Sequence, residues 1–172
     1  MIKKNGEIMA GFSYEKINEQ NRTDIIDIFN WYIENTFAAY PENRVPYDFY
    51  DNFLSISQKY PSLSVRNEDG ITVGFGMLRP HSPMRSFAHT AEITYFIKPE
   101  FTGQGIGKEM LLILEEEGKK LGILRVLAGI SSKNPGSIRF HEKNGFIKCG
   151  VFPCVCKKKG EFFDEVWMYK VL

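Results

Sequence analysis

Residues 101–122 read FTGQGIGKEMLLILEEEGKKLG, and this stretch places three glycines at alternate positions directly before a run with helical spacing. An apolar segment, residues 91–97, comes just before it and is typical of a buried strand. The first turn of a helix presents unpaired backbone N–H groups and the positive end of the helix dipole, and glycine lets a ligand approach that backbone closely. The stretch therefore predicts a strand, a loop and a helix that together hold a phosphate-bearing molecule.

Three known types of phosphate loop can be compared with this stretch. The dinucleotide fingerprint requires a third glycine where this chain has Lys108. The phosphate loop of ATPases requires glycine at the position of Thr102 and Ser or Thr at the position of Glu109. The remaining pattern, Arg/Gln-x-x-Gly-x-Gly/Ala, fits residues 102–107 at every position except the first, which is Thr102.

The composition is that of a globular protein with almost balanced charge. The chain has 172 residues, of which 43% are hydrophobic and 25% charged, and its net charge is +1. This balance gives no reason to expect nucleic acid or an anionic membrane as a partner, and no stretch has the roughly 18 apolar residues of a membrane helix. Three cysteines near the C-terminus form a poor disulfide framework and favour a reduced, cytoplasmic protein.

The pattern along the chain predicts a mixed sheet with helices on its faces, of α/β or α+β class. We expect residues 1–11 to be an N-terminal extension and residues 12–172 to form one domain. The predicted order is β-α-α-β-β-β-α-β-α-β-β. The strands are expected at residues 12–17, 63–66, 71–78, 91–97, 125–130, 146–152 and 165–171, and the helices over residues 25–36, from 46 onward, and over 105–121 and 137–144.

A second segment, residues 134–146, reads NPGSIRFHEKNGF and follows the glycine loop by about one βα unit. Together the two segments resemble the cofactor motifs of the GNAT superfamily of N-acetyltransferases. The resemblance implies the GNAT fold, a mixed, mostly antiparallel central sheet flanked by about four helices. It implies acetyl-CoA as cosubstrate, with its pyrophosphate on the loop's backbone N–H groups, and weaker binding because of Thr102. The residues that it assigns to the cofactor are Phe96, Ile97, Gln104, Gly105, Ile106, Gly107, Lys108, Asn134 and Ser137.

Further segments resemble the phosphinothricin acetyltransferase-like branch of this superfamily. They are residues 30–36 (NWYIENT), 89–95 (HTAEITY) and 160–164 (GEFFD). The branch implies a small, amino-acid-like amine as acceptor, of the phosphinothricin or methionine sulfone and sulfoximine type, and a homodimer. Three aromatic residues near the C-terminus fit either a subunit contact or the core: Phe162, Phe163 and Trp167.

Two residues are candidates for the chemistry. Glu92 stands at the start of the strand before the glycine loop, where a carboxylate can accept a proton from the acceptor ammonium, directly or through water. The alternative role for Glu92 is a structural ion pair. His141 occupies a position near the thioester in the family, as a general acid or as a residue that merely lines the cofactor. The resemblance also assigns the backbone N–H of Ile97 to the developing oxyanion.

The acceptor is expected between the first two helices and the loop before the central strand. Tyr32, Phe37 and Tyr40 are predicted to shape this side, and Arg79 or Arg85 to pair with a carboxylate or phosphinate of the acceptor. No metal is expected, because the Cys154-x-Cys156 pair lacks a second ligand pair and the histidines lack metal-site spacing. Residues 157–159, all lysine, are interpreted as a solvated turn.

Three functions remain open from the sequence. The first is an acetyl-CoA-dependent N-acetyltransferase, the second a non-catalytic acyl-CoA-binding module of the same fold, and the third a nucleotide-binding protein. The presence of Glu92 and His141 favours the first over the second.

Overall fold

The computed structural model describes residues 11–172, so the predicted N-terminal extension lies outside the described residues except for Gly11. Seven strands form one sheet in the order β1-β2-β3-β4-β5-β7-β6. The strands are β1 (Phe12–Glu15), β2 (Ser62–Asn67), β3 (Thr72–Pro80), β4 (Thr90–Ile97), β5 (Arg125–Ser131), β6 (Ile147–Lys158) and β7 (Glu161–Val171). The helices are α1 (Arg22–Asn35), α2 (Tyr50–Ser57), α3 (Ile106–Lys120) and α4 (Pro135–Lys143).

The central feature of the sheet is the divergence of β4 from β5. These two strands form the parallel pair, and in the described chain they pair only over residues 90–92 of β4 and 125–127 of β5. Beyond that point β4 keeps its antiparallel partner β3, and β5 keeps its antiparallel partner β7. The second half of β4 is therefore free of a neighbour on its β5 side, and a cleft opens there.

The core lies on both faces of the sheet. On one face α3 packs against β2, β3 and β4, and the buried residues include Met110, Leu111 and Leu114. On the other face α1 and α2 cover Phe75 and Met77 of β3. The helices thus cover the sheet on both sides, while the cleft between β4 and β5 remains. None of the helices in residues 11–172 is long and apolar enough to cross a membrane.

The predicted order of elements and the fold class are confirmed, and the main differences lie at element ends. The second helix was expected from Pro46, but a short 3-10 turn follows this proline and α2 begins at Tyr50. Strands β6 and β7 are longer than predicted because a two-residue turn, Lys159-Gly160, joins them directly. Both turn residues have positive φ, 51° and 77°, which matches the twist of a hairpin.

The prediction of a solvated turn for the lysines of residues 157–159 is wrong at Lys158. This side chain is completely buried, and its Nζ donates hydrogen bonds to the carbonyls of Thr36, at 2.8 Å, and Ala39, at 2.6 Å. Both carbonyls belong to the segment that follows α1. The tip of the β6–β7 hairpin is therefore tied to that segment by an ammonium group.

Candidate active site

A cavity of about 880 Å³ occupies the cleft between the diverging strands. Its wall includes the second half of β4, residues 128–131 of β5 and the glycine loop. The N-terminal part of α4 and the segment after α1 also line it, together with residues of α1, α2, β3 and β7. One cavity thus joins the predicted phosphate loop to the predicted catalytic strand.

The glycine loop has the geometry of an anion cradle. Gly103 and Gly105 have φ of 77° and 87°, a region that side-chain-bearing residues rarely adopt. Among residues 11–172, no acceptor is found for the backbone N–H groups of residues 103–107, whereas those of Lys108 and Glu109 bond the Gly105 carbonyl. The cradle therefore presents a run of free donors at the start of α3, as a diphosphate requires.

The predicted cofactor residues divide into two groups. Two of them do not line the cavity, because Gln104 is exposed and donates to the Glu100 carbonyl, and the Ile106 side chain is buried in the core. Thr102, which departs from the family pattern, uses its hydroxyl to bond the Pro99 carbonyl at 2.7 Å. The residues that do line the cavity are Phe96, Ile97, Gly105, Gly107, Lys108, Asn134 and Ser137.

The first turn of α4 is built around Asn134. Its side-chain oxygen accepts a hydrogen bond from the backbone N–H of Ser137 at 3.1 Å, and Pro135 occupies the first helical position. This hydrogen bond fixes the side-chain oxygen Oδ1 of Asn134 and leaves the side-chain NH₂ group available to a ligand in the cavity. Local chemistry alone explains why the helix begins here.

Glu92 lies in the cavity wall and is 8% exposed. Its Oε1 is 2.8 Å from Nδ1 of His81, and its Oε2 forms an ion pair with the guanidinium of Arg79. Arg79 is the direct cross-strand partner of Glu92 in the β3–β4 register, and its side chain is half-exposed. The carboxylate is thus held by two partners, one of which has a free end that a ligand can engage.

His141 is 3% exposed, and both of its ring nitrogens are engaged. Nδ1 lies 2.8 Å from the Ser137 carbonyl, which can only accept, so this nitrogen carries the proton. Nε2 then accepts from the hydroxyl of Tyr95 at 2.7 Å. Burial lowers the pKa of His141 from its ordinary value, partly offset by the Ser137 bond. The imidazole is therefore neutral and orients the Tyr95 hydroxyl.

The lowered pKa of His141 has a consequence for stability. Below its ordinary pKa of 6.5 the unfolded chain binds a proton that the folded chain does not, so stability decreases as pH falls through this value. We expect His141→Gln to weaken the decrease in melting temperature between about pH 7.5 and 5.5. Thermal unfolding at several pH values in this range measures the melting temperature of each protein. His89→Gln, a change at an exposed histidine, is the control. An identical pH dependence in all three proteins would contradict the neutral buried imidazole.

The predicted acceptor residues are not all brought to the cavity. Tyr32 and Arg79 line it, and the Tyr32 hydroxyl donates to the Ile97 carbonyl at 2.6 Å. Phe37 instead packs against the buried Phe163, and Arg85 lies on an exposed 3-10 turn, so neither is part of the wall. Arg85 lies outside the cavity because it belongs to the turn between β3 and β4, beyond the last paired residues of these strands. The sequence did not indicate this.

Several residues of the site were missed by sequence reasoning. They contact the predicted residues across strands or from distant segments: His81, Tyr95, Glu165 and Trp167. Tyr40, which was expected on the acceptor side, also lines the cavity. The signal that could have found His81 is its place directly after β3, two residues beyond Arg79, the cross-strand partner of Glu92. That signal requires the β3–β4 register, which becomes known only with the fold.

Fold and site together define a protein that binds a phosphate-bearing cofactor between splayed strands, beside a carboxylate. The model of the acetyltransferase (GNAT) family matches residues 25–146, more than half of the chain. The chain belongs to this family of acetyltransferases.

Named relatives and a solved structure agree with this assignment. An L-methionine sulfoximine/L-methionine sulfone acetyltransferase of Salmonella typhimurium is 30% identical over 146 residues, 84% of this chain and 85% of the relative. A phosphinothricin N-acetyltransferase of Streptomyces coelicolor is 25% identical over 90% of this chain and 92% of its own length. The structure of YncA from Salmonella typhimurium with its cofactor acetyl-CoA superposes with a TM-score of 0.88 at 26% identity, covering 95% of each chain.

Proposed function

We propose that this chain transfers an acetyl group from acetyl-CoA to the primary amine of a small, amino-acid-like acceptor. One observation carries the proposal: the ion pair of Arg79 and Glu92 stands in the wall of the cavity that also contains the glycine cradle. An amino acid has the matching pair of charges, a carboxylate for Arg79 and an ammonium for Glu92. The relatives named for methionine sulfoximine, methionine sulfone and phosphinothricin support this class of acceptor.

The residues that face the cavity fit coenzyme A. The free N–H groups of residues 103–107 would hold the diphosphate, and Lys108 beside them carries a positive charge. The side of β4 that faces away from β3 has no strand partner beyond Glu92 within residues 11–172, so its backbone groups are available to an extended chain in place of a missing strand. Asn134 and Ser137 border the same path. When bound, acetyl-CoA supplies an acyl group activated as a thioester.

Glu92 is proposed as the general base. An ammonium cannot attack a carbonyl, so its proton must first move to a nearby acceptor, and the Glu92 carboxylate can accept it directly or through water. Arg79 would turn its half-exposed guanidinium from Glu92 to the acceptor carboxylate. The Arg79–Glu92 ion pair would then be replaced by two ion pairs, one between Arg79 and the acceptor carboxylate and one between Glu92 and the acceptor ammonium. The two contacts together would orient the amine beside Glu92. The backbone N–H of Ile97 is proposed to meet the charge that develops on the carbonyl oxygen.

We propose that His141 acts as a positioning residue and not as a general acid. Its neutral form has its proton on Nδ1, which faces the Ser137 carbonyl, and its Nε2 accepts from Tyr95. Burial raises the pKa of Tyr95 well above its ordinary value, so this hydroxyl remains protonated at neutral pH. His141 thereby holds the Tyr95 hydroxyl at a defined place in the cavity wall, with the hydroxyl proton directed to Nε2.

Mixing the protein with acetyl-CoA and methionine sulfoximine tests the function by the release of free thiol. We expect thiol release that depends on both compounds, and thermal stabilisation by CoA but not by NAD or ATP. CoA binding without turnover on any amine would instead identify an acyl-CoA-binding module. Stabilisation by NAD or ATP and none by CoA would identify a nucleotide-binding protein.

We further propose that the enzyme is a cytoplasmic homodimer that associates through its outer strand. Strand β6 is an edge strand, and exposed apolar side chains concentrate on the β6–β7 hairpin: Ile147, Val151, Phe152, Val155 and Phe162. Of the three aromatic residues considered for a subunit contact, Phe163 is buried and Trp167 lines the cavity. An apolar edge of this kind is available for pairing with a second copy.

Sedimentation velocity tests the dimer. We expect twice the mass of the chain for the unmodified protein, because the apolar edge would be covered, and a monomer for Phe152→Lys combined with Val155→Lys. Leu124→Lys, a change at another exposed apolar residue, is the control and is expected to remain dimeric. A monomer for the unmodified protein at micromolar concentration would contradict the proposal.

A further inference from the structure

The cavity wall contains a second carboxylate, Glu165 of β7, that the proposed reaction does not use. Its Oε2 accepts a hydrogen bond from the indole Nε1 of Trp167 at 2.9 Å. The hydroxyl of Tyr40 lies nearby, and burial followed by the Glu165 charge raises the pKa of Tyr40 above its ordinary value. Within residues 11–172, no lysine, arginine or histidine lies within ion-pair distance of Glu165. Both neighbours are neutral donors, so the negative charge is solvated but not balanced.

The position of this carboxylate relative to Glu92 follows from the strand register. Glu92 pairs with Leu127 and Glu165 pairs with Ser131, so both side chains lie on the same face of the sheet. Oε1 of Glu165 lies over Gly129, only 2.9 Å from the place that a Cβ would take there. Since Gly129 is two residues from Leu127, the Glu165 carboxylate lies about 7 Å further along the direction of β5 than the backbone position of Glu92.

One aromatic contact joins the two carboxylates. The ring of His81, which binds Glu92, packs edge-on against Trp167 with 6.1 Å between ring centroids. Trp167 in turn donates to Glu165. Glu92 and Glu165 are thus linked by a chain of contacts through His81 and Trp167, whose rings lie between the two carboxylates.

The charges on this side of the cavity do not cancel. Arg79 is positive, whereas Glu92 and Glu165 are negative, and an amino acid that engages Arg79 and Glu92 adds no net charge. Glu165 then faces the part of the acceptor that extends along the cavity beyond Trp167, away from the amine at Glu92. A hydrogen-bond donor or a cation is favoured at this end, and an anion is opposed.

We propose that Glu165, together with Trp167 and Tyr40, forms a subsite for a hydrogen-bond donor or cationic group at the far end of the acceptor side chain. This inference rests on the proposed function and refines its substrate class. Acceptors with an N–H group or a positive charge at that end are preferred to those with only acceptor oxygens. Acceptors with a negative side chain are the poorest.

Three compounds of similar shape separate these possibilities. Methionine sulfoximine carries an N–H donor on its sulfur, methionine sulfone carries two acceptor oxygens, and phosphinothricin carries an anionic phosphinate. A hydrogen bond to a charged group is worth a factor of about ten or more, so we expect kcat/KM to decrease by about tenfold from sulfoximine to sulfone. Phosphinothricin should be lower still, because its phosphinate meets the Glu165 carboxylate.

The decisive measurement is this order of kcat/KM in three proteins: the unmodified enzyme, Glu165→Gln, and Glu161→Gln as a matched control at an exposed residue of the same strand. Glu165→Gln keeps the side-chain shape and removes the charge. We expect it to bring the three values within about threefold of one another, mainly by improving the KM for phosphinothricin, and to leave CoA binding unchanged. The control should keep the original order. An order that Glu165→Gln does not alter would overturn the inference.

A binding measurement separates this inference from the proposed function. The same three compounds are titrated calorimetrically into the protein saturated with CoA. Tighter binding of sulfoximine than of phosphinothricin that disappears in Glu165→Gln supports the subsite even if no turnover occurs. Turnover of all three without such a difference in binding or rate would support the proposed function and refute the subsite. Absence of both binding and turnover for all three would refute both proposals.

Discussion

Glu92→Gln is expected to lower the rate of acetylation at neutral pH by about 100-fold or more, because a positioned general base contributes 10²- to 10⁴-fold. Glutamine keeps the shape of the side chain and can still contact His81, but it cannot accept the proton of the acceptor ammonium. The loss should appear in the rate and not in CoA affinity, since the residues proposed to hold coenzyme A line other parts of the cavity. Thiol release with methionine sulfoximine as acceptor measures the rate.

Two controls accompany this variant. Calorimetric titration of CoA should give the same affinity in Glu92→Gln as in the unmodified protein. Glu68→Gln, at an exposed turn, should leave the rate unchanged. The ion pair with Arg79 involves a half-exposed partner, and its loss is expected to change stability by less than about 1 kcal/mol. Equal activity of Glu92→Gln and the unmodified enzyme would remove Glu92 from the mechanism.

Lys158→Met is expected to destabilise the fold by about 2 to 3 kcal/mol, since it removes two hydrogen bonds from an ammonium and leaves one buried and one half-buried carbonyl without a donor. Those carbonyls belong to Thr36 and Ala39, and Ala39 and its neighbour Tyr40 line the cavity. The KM for the acceptor should therefore rise severalfold while CoA affinity is retained. Methionine has a similar length and fills the same space, so the effect isolates the lost hydrogen bonds.

The adjacent lysine provides a matched control. Lys157 is exposed and its Nζ lies over the ring of Phe162, so Lys157→Met should change stability by less than about 0.5 kcal/mol and leave the acceptor KM unaltered. Urea unfolding followed by circular dichroism measures the stability of each variant. Equal stability and equal KM in Lys158→Met and Lys157→Met would show that the buried ammonium does not hold this segment.

The parts of the site that the sequence predicted are those whose conformation depends on neighbouring residues. Glycine adopts positive φ at little steric cost, and the run that follows Gly103 and Gly105 has helical spacing, so the cradle could be predicted directly. The helix expected from residue 137 begins two residues earlier, at Pro135, where Asn134 caps it. In both places the backbone preference of a few residues decides the structure, and distant contacts add little.

The parts that the sequence did not predict depend on register and packing. Glu92 was identified, but its partners Arg79 and His81 depend on how β3 pairs with β4. Tyr95 and His141 are 46 residues apart and meet only because α4, packed against β5 and β6, brings His141 across the cleft to Tyr95 of β4. No local pattern distinguishes such a pair from two unrelated side chains.

The amino-acid sequence by itself determined the order of elements, the glycine cradle and the family, because backbone preferences and hydrophobic periodicity act over a few residues. Only the tertiary structure decided which charges meet. It buried Lys158 against two carbonyls and placed the Glu165 carboxylate over Gly129. A lysine in a basic run and a glutamate in a strand have the same local preferences whether exposed or buried. Their roles follow from the free energy of pairing and desolvation, which depends on segments far away in the chain.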